Sequence, residues 1–120
     1  MAYRNNEDLT ERSFRFSCDV YDYCDELVRL SGLAPRVGYQ LFDAAGSVGA
    51  NRTEAKSASS RRDFRSKNSI SLREVRDANF WLRLAEAKKL GNSALRHRLL
   101  DESNQLISIY VEVVRNLRDL

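Results

Sequence analysis

The sequence predicts an all-α fold, an antiparallel up-down-up-down four-helix bundle. Apolar residues recur at steps of three and four along almost the whole chain, the period of one helix face. Short turns separate four such segments, which favours antiparallel neighbours. The single proline falls where the second segment begins, and strand-like alternation is confined to short runs. We therefore expect one domain over residues 1–120, with helices at about 9–30, 35–57, 61–90 and 93–120.

The first helix carries two apolar stripes, which predict burial wider than one partner helix supplies. The first stripe is Phe14, Cys18, Tyr21 and Val28, and the second is Phe16, Val20, Tyr23 and Leu27. Ser31 and Gly32 form a stop signal, and Pro35 suits the opening turn of the second helix.

The second helix is thin because small residues fill its middle, AAGSVGA at 44–50. Glycine inside a helix costs about 1 kcal/mol relative to alanine. Gly46 and Gly49 therefore predict close approach of a neighbouring backbone. That neighbour is either another helix of the same chain or a second subunit.

Polar residues interrupt the apolar faces of the second and third helices at one-turn spacing. They predict a small structural polar cluster; a ligand site is the alternative. Its members are Asn51, Glu54, Ser71 and Glu74.

The third helix begins with a capping-box-like pair, Ser60 and Asp63. Arg61, Arg62 and Arg65 then lie in its first turn and a half, although this end of a helix already carries positive partial charge. Free backbone amides and arginines suit a phosphate or another anion. A solvated basic turn is the alternative.

The third and fourth helices each present one apolar face. That of the third helix comprises Phe64, Ser71, Val75, Ala78, Leu82 and Ala85. That of the fourth has near-heptad spacing and comprises Leu95, Leu99, Leu106, Ile109, Val113, Leu117 and Leu120. Gly91 ends the third helix, and Asn92 or Ser93 caps the fourth.

Charge is concentrated locally, although the whole chain carries only +3. Residues 52–67 hold six basic residues against two acidic ones, and residues 1–30 hold four arginines against seven acids, Glu7 among them. Such a basic edge and acidic first helix suit either nucleic acid or a charge-matched neighbour.

Several classes of protein are disfavoured. No apolar run approaches the ~20 residues of a membrane span, and the first residues lack a signal-peptide layout, so we expect a cytoplasmic protein. Cys18 and Cys24 lack metal-site spacing and suggest small core residues. His97 is the lone histidine, between two arginines, and indicates a surface residue. We expect no enzyme, metal or cofactor.

Three stretches resemble the bacterial "four helix bundle protein" family: SVGANRTEA at 47–55, SRRDF at 60–64 and ISLRE at 70–74. Members are often encoded in intervening sequences of large-subunit ribosomal RNA genes. They are similar in fold to the accessory variability determinant of diversity-generating retroelements, which works with a reverse transcriptase and nucleic acid.

The resemblance implies a small soluble homo-oligomer, with a five-subunit ring as precedent, and no established catalytic residue. It also implies that Asn51 and Glu54 form the family's N-x-x-E element, that Ser60 and Asp63 form the cap, and that Phe64 is the first core anchor of the third helix. The chain departs from the family pattern at 52–53, where Arg-Thr replaces an apolar-small pair. It departs again at 55–58, where Ala55, Ser57 and Ala58 replace the glycine-rich turn residues that are common in the family.

Two function hypotheses follow. The first is an oligomeric adaptor that binds RNA or DNA backbone non-specifically through a basic edge between the second and third helices. That edge comprises Arg52, Lys56, Arg61, Arg62, Arg65 and Lys67. The second is a structural or protein-interaction module whose basic edge meets the acidic first helix of a neighbouring subunit or another protein.

Overall fold

The computed structural model describes residues 8–118 and contains four helices: α1 Leu9–Leu27, α2 Ala34–Ala55, α3 Arg61–Ala87 and α4 Ser93–Arg118. The described residues contain no strand. The predicted all-α class and four helices are confirmed. The predicted helix end at 120 and the acidic Glu7 lie outside the described residues.

Each helix packs against the next in sequence, and the backbones of α1 and α4 come close at fewer positions. Within residues 8–118 no close backbone contact joins α1 to α3 or α2 to α4. This cyclic order is consistent with the antiparallel arrangement. None of the described helices combines the length and apolarity that a transmembrane segment needs.

Only one of the two apolar stripes of α1 enters the core. Phe16 and Val20 of the second stripe are fully buried, whereas Phe14 and Tyr21 of the first stripe are exposed. The expectation that both cysteines are core residues is correct for Cys24 and wrong for Cys18, which is exposed. Burial raises the pKa of the Cys24 thiol to about 12.

Gly49 lies where α1 crosses α2. A Cβ atom at this position would stand 2.7 Å from the Ser17 Oγ and 3.4 Å from the Ser13 carbonyl oxygen. The Ser17 hydroxyl donates to the Ala45 carbonyl at 2.7 Å, which fixes the two helices at this separation. The predicted close approach is therefore confirmed for Gly49, and the neighbour belongs to the same chain.

Gly46 lies on the open side of α2. A Cβ atom built there would meet nothing within 4 Å, so no helix of the same chain approaches this glycine, and the approach of a second subunit stays a prediction. Gly38 has the role that sequence reasoning assigned to Gly46, because its Cβ would lie 3.1 Å from the Leu27 Cβ of α1.

Polar side chains join α1 to α4, whose backbones come close at fewer positions. Arg12 is 4% exposed, and its Nε and Nη2 donate to the two carboxylate oxygens of Glu102 at 2.6 and 2.8 Å. Nη2 also donates to the Gln105 Oε1 at 2.9 Å. The hydroxyl of the adjacent α1 residue, Ser13, hydrogen bonds with the Tyr110 hydroxyl at 2.6 Å, about two turns along α4 from Glu102.

The connection between α3 and α4 is organised by the buried Arg96. Its Nε donates to the Glu86 Oε1 at 2.6 Å, and its Nη1 donates to the Leu90 carbonyl at 2.6 Å. The Tyr23 hydroxyl donates to the same carbonyl at 2.6 Å, which ties α1 to this turn. His97 is exposed, as predicted, with its Nε2 3.0 Å from the Glu86 Oε1.

The Glu86 network predicts a loss of stability in acid. The Arg96 hydrogen bond lowers the pKa of Glu86 from 4.5 to about 2. Because the folded-state pKa is the lower one, this contribution is complete above about pH 4.5 and disappears as the pH falls towards 2. We expect the melting temperature of Glu86→Gln to depend less on pH than that of the unmodified protein across this window. Glu112→Gln on α4 is the matched control; identical pH profiles for all three proteins would contradict the prediction.

Candidate nucleic-acid interface

The turn between α2 and α3 has the local structure that its sequence predicts. The backbone N–H of Asp63 donates to the Ser60 Oγ at 3.0 Å, and the Asp63 Oδ2 accepts from the Ser59 N–H at 3.2 Å. Ser60 is therefore the N-cap of α3. We call residues 56–65 the basic elbow.

The basic elbow presents arginines that are not neutralised. Arg61 and Arg62 are exposed and have no ion pair or hydrogen bond within residues 8–118. Arg65 is half-buried, and its Nε is enclosed without a hydrogen-bond partner. Asp63, the acid closest in sequence, already accepts in the cap. Two exposed arginines and one half-buried arginine thus lie within the first five residues of α3.

Arg52 points into the bundle. Its Nε donates to the Thr10 Oγ1 at 3.0 Å, and its Nη1 donates to the Asn68 Oδ1 at 2.7 Å. The guanidinium lies 5.6 Å from the Phe64 ring centroid. Asn68 is fully buried and is oriented by a hydrogen bond to the Phe64 carbonyl. These bonds join α1, α2 and α3, and they explain how α2 accommodates a charge at this position.

Lys56 within the basic elbow and Lys67 just after it form ion pairs at the surface. The Lys67 Nζ lies 3.0 Å from the Glu54 Oε1, and the Lys56 Nζ lies 3.7 Å from the Asp8 Oδ2. The hydrogen bond with Glu54 raises the pKa of Lys67. Since exposed pairs contribute at most about 1 kcal/mol, either lysine can exchange its carboxylate for a phosphate at low cost.

The four residues of the predicted polar cluster are not joined by hydrogen bonds within the described part of the chain. Asn51 donates to the Ser47 carbonyl of its own helix at 2.9 Å. Ser71 donates to the Val48 carbonyl at 2.9 Å, which links α3 to α2. Glu54 pairs with Lys67 instead. Burial, followed by the charge of Asp77, raises the pKa of Glu74.

Sequence reasoning missed the solvent side of α3, because it followed only the apolar face of that helix. Arg73, Arg76, Phe80 and Arg83 recur at steps of three and four and are all exposed. We call these four residues the α3 outer face. The three arginines have no ion pair within residues 8–118.

A groove of about 310 Å³ runs between α1 and α2 and was not predicted. We call it the aromatic groove; it is lined by Phe14, Ser17, Cys18, Tyr21, Asp22 and Phe42. Three of these residues come from the apolar stripe of α1 that stays outside the core.

Residues 8–118 contain no group of three or more His, Cys, Asp or Glu side chains placed to hold a metal ion.

Comparison with known proteins supports the fold. The chain is similar to the crystal structure of a protein of unknown function from the S23 ribosomal protein family of Bacteroides thetaiotaomicron. The TM-score is 0.80 at 22% identity, over 89% of this chain and 98% of the other. No family model and no curated protein matches the sequence. At this identity the likeness shows a shared four-helix fold.

Proposed function

We propose that this chain is a non-enzymatic, homo-oligomeric bundle protein that binds nucleic-acid backbone through the basic elbow. The observation that supports the proposal is the pair Arg61 and Arg62, exposed and unpaired at the first turn of α3. Cations at a helix N-terminus cost about 0.3–1 kcal/mol each at low ionic strength. An anionic ligand removes that cost and uses the free amides of the same turn.

The residues of the basic elbow suit phosphate better than bases. Arg61 and Arg62 offer forked donors that match phosphate oxygens, and Arg65, half-buried, follows one turn along the same helix. Phe64 is half-buried beneath Arg52, so it offers no ring on which a base can stack. We therefore expect binding with little sequence preference. Arg52 acts as a positioning residue that holds the start of α3 against α1 and α2.

The test is filter binding of RNA and duplex DNA to the triple variant Arg61→Ala/Arg62→Ala/Arg65→Ala. Losing three phosphate contacts is expected to weaken binding of both ligands by roughly tenfold or more at low salt. The matched control removes three exposed arginines elsewhere, Arg29, Arg98 and Arg115, with the same change in net charge.

Equal affinities of the elbow variant and the control variant would contradict the proposal. Because Arg65 is half-buried, circular dichroism and thermal melting establish that the triple variant is folded. The double variant Arg61→Ala/Arg62→Ala changes only exposed side chains, so its reduced binding is expected whether or not Arg65 tolerates replacement.

A protein-interaction module is the second candidate. The exposed acids Glu11 and Asp22 of α1 have no ion pair within residues 8–118 and suit a basic elbow supplied by a neighbour. Sedimentation at low and high salt distinguishes the candidates, because an elbow-mediated contact dissociates at high salt. The five-subunit ring, the antiparallel helix order, the cytoplasmic location and the intervening-sequence family are proposed with either candidate.

A further inference from the structure

The aromatic groove is a contiguous apolar surface on the outside of the bundle. Phe14 is 56% exposed, Tyr21 is 58% exposed and Phe42 is 38% exposed. The Tyr21 and Phe42 rings pack edge to face with their centroids 5.7 Å apart, so they present one surface across the two helices. Gly46, one turn beyond Phe42, leaves open space above α2. Such a patch on a small protein indicates a protein contact.

The rim of the groove is acidic around Tyr21 and Phe42, while Arg15 follows Phe14 at the other end. Asp22 lines it, Asp43 follows Phe42, and both are exposed without an ion pair within residues 8–118. Asp25 lies one turn beyond Tyr21 and has only an exposed pair with Arg29. A two-fold contact of the groove with itself would bring these carboxylates together, which is unfavourable. The charge pattern therefore favours an occupant that is apolar at its centre and basic at its edges.

The α3 outer face has that pattern in Phe80 and its three arginines, with one exposed acid, Asp77, beside them. Phe80 is 52% exposed and is supported by an edge-to-face contact with Trp81, at 5.1 Å between ring centroids. Arg76 and Arg83 flank it within one turn on either side, and Arg73 extends the face towards the start of the helix. At 1.5 Å per residue, this face is about 15 Å long, and the α1 side of the groove from Phe14 to Asp25 is about 16 Å long.

We infer that the aromatic groove of one copy of this chain receives the α3 outer face of a second copy. Phe80 enters between the groove aromatics, and the flanking arginines lie beside Asp22 and Asp43. The inference rests on the self-association in the proposed function and is independent of nucleic-acid binding. Because two different faces meet, a pair of copies keeps one free groove and one free α3 outer face, so the contact repeats into a closed ring or a filament.

The basic elbow stays accessible in such an assembly. Arg62 and Phe80 are 18 positions apart on α3, about 27 Å along the helix. The proposed phosphate site lies in the first turns of α3, and the subunit contact begins at Arg73, about 12 Å further along the helix from Arg65.

Sedimentation velocity on two complementary variants tests the inference. The groove variant Phe14→Lys/Tyr21→Lys removes the aromatic face, and the α3 variant Arg76→Ala/Phe80→Ala/Arg83→Ala removes its counterpart; every changed side chain is exposed. We expect the unmodified protein to assemble. Each variant alone is expected to associate roughly 30-fold more weakly or worse, as for loss of an interface anchor.

The mixture of the two variants provides the decisive result. Each variant keeps the face that the other lacks, so an equimolar mixture is expected to give a one-to-one heterodimer and nothing larger. Two variants that remain monomers when mixed would overturn the inference, as would a monomeric unmodified protein or a variant that assembles normally.

Circular dichroism and melting temperature establish that each variant is folded. Arg115→Ala on α4 is the matched control and is expected to assemble normally. The elbow variant Arg61→Ala/Arg62→Ala is also expected to assemble, so failure of nucleic-acid binding and failure of this inference give different results. Loss of assembly in the elbow variant would overturn the inference in favour of an elbow-mediated contact.

Discussion

Replacing Arg12 by alanine is expected to lower the free energy of unfolding by about 3 kcal/mol, the low end of the range for breaking a buried ion pair. Arg12 is 4% exposed and donates to both Glu102 oxygens and to Gln105, so the variant leaves these acceptors without their donor. Glu102 is 26% exposed, and water therefore restores part of the lost solvation. Urea denaturation followed by circular dichroism measures the change.

Two comparison variants show that burial causes the effect. Arg29→Ala removes an exposed ion pair with Asp25, one turn away on the same helix. This variant is expected to change the free energy of unfolding by about 0.5 kcal/mol or less. Arg12→Met/Glu102→Met replaces both charges by apolar groups and is expected to recover most of the loss. A loss below about 1 kcal/mol for Arg12→Ala would contradict the conclusion that the buried Arg12–Glu102 pair holds α1 and α4 together.

Gly49→Val is expected to destabilise the protein by about 3 kcal/mol, the upper end of the range for overpacking. The new Cβ would lie 2.7 Å from the Ser17 Oγ and 3.6 Å from the Phe14 Cα. A hydroxyl can rotate away, but the α1 backbone behind it cannot, so the two helices must separate. Thermal and urea unfolding measure the loss.

Gly46→Ala is the matched variant on the same helix, with the opposite expected sign. Nothing lies within 4 Å of its Cβ position, so the replacement gains helix propensity worth about 1 kcal/mol without a clash. Similar effects for the two glycines would show that helix propensity, and not the approach of α1, determines the result at Gly49.

Much of the fold is encoded locally and was therefore predictable. Helix positions follow from the 3.6-residue apolar period, and the N-cap at Ser60 needs only Asp63 three residues later. The close contact at Gly49 follows from the cost of glycine within a helix, which close approach of a neighbouring backbone often offsets. Each of these signals lies within a few residues of the feature that it specifies.

The candidate site was less predictable because its contacts are long-range. Arg52 looks like any basic-edge residue in the sequence, yet its partner Thr10 is 42 positions away and turns it inward. The two stripes of α1 are equally apolar, and only the position of the other helices determines that Phe14 stays outside. Likewise, Phe80 and the arginines of the α3 outer face form one surface only because the folded helix places them on the same exposed side.

The salt dependence of duplex DNA binding tests the proposed function most directly. Each phosphate contact contributes about −0.9 to the slope of log Kobs against log salt concentration. The slope for Arg61→Ala/Arg62→Ala/Arg65→Ala is therefore expected to be shallower by about 2.7 than that of the unmodified protein. Equal slopes for the two proteins, or no dependence of binding on salt, would contradict a phosphate site at the basic elbow.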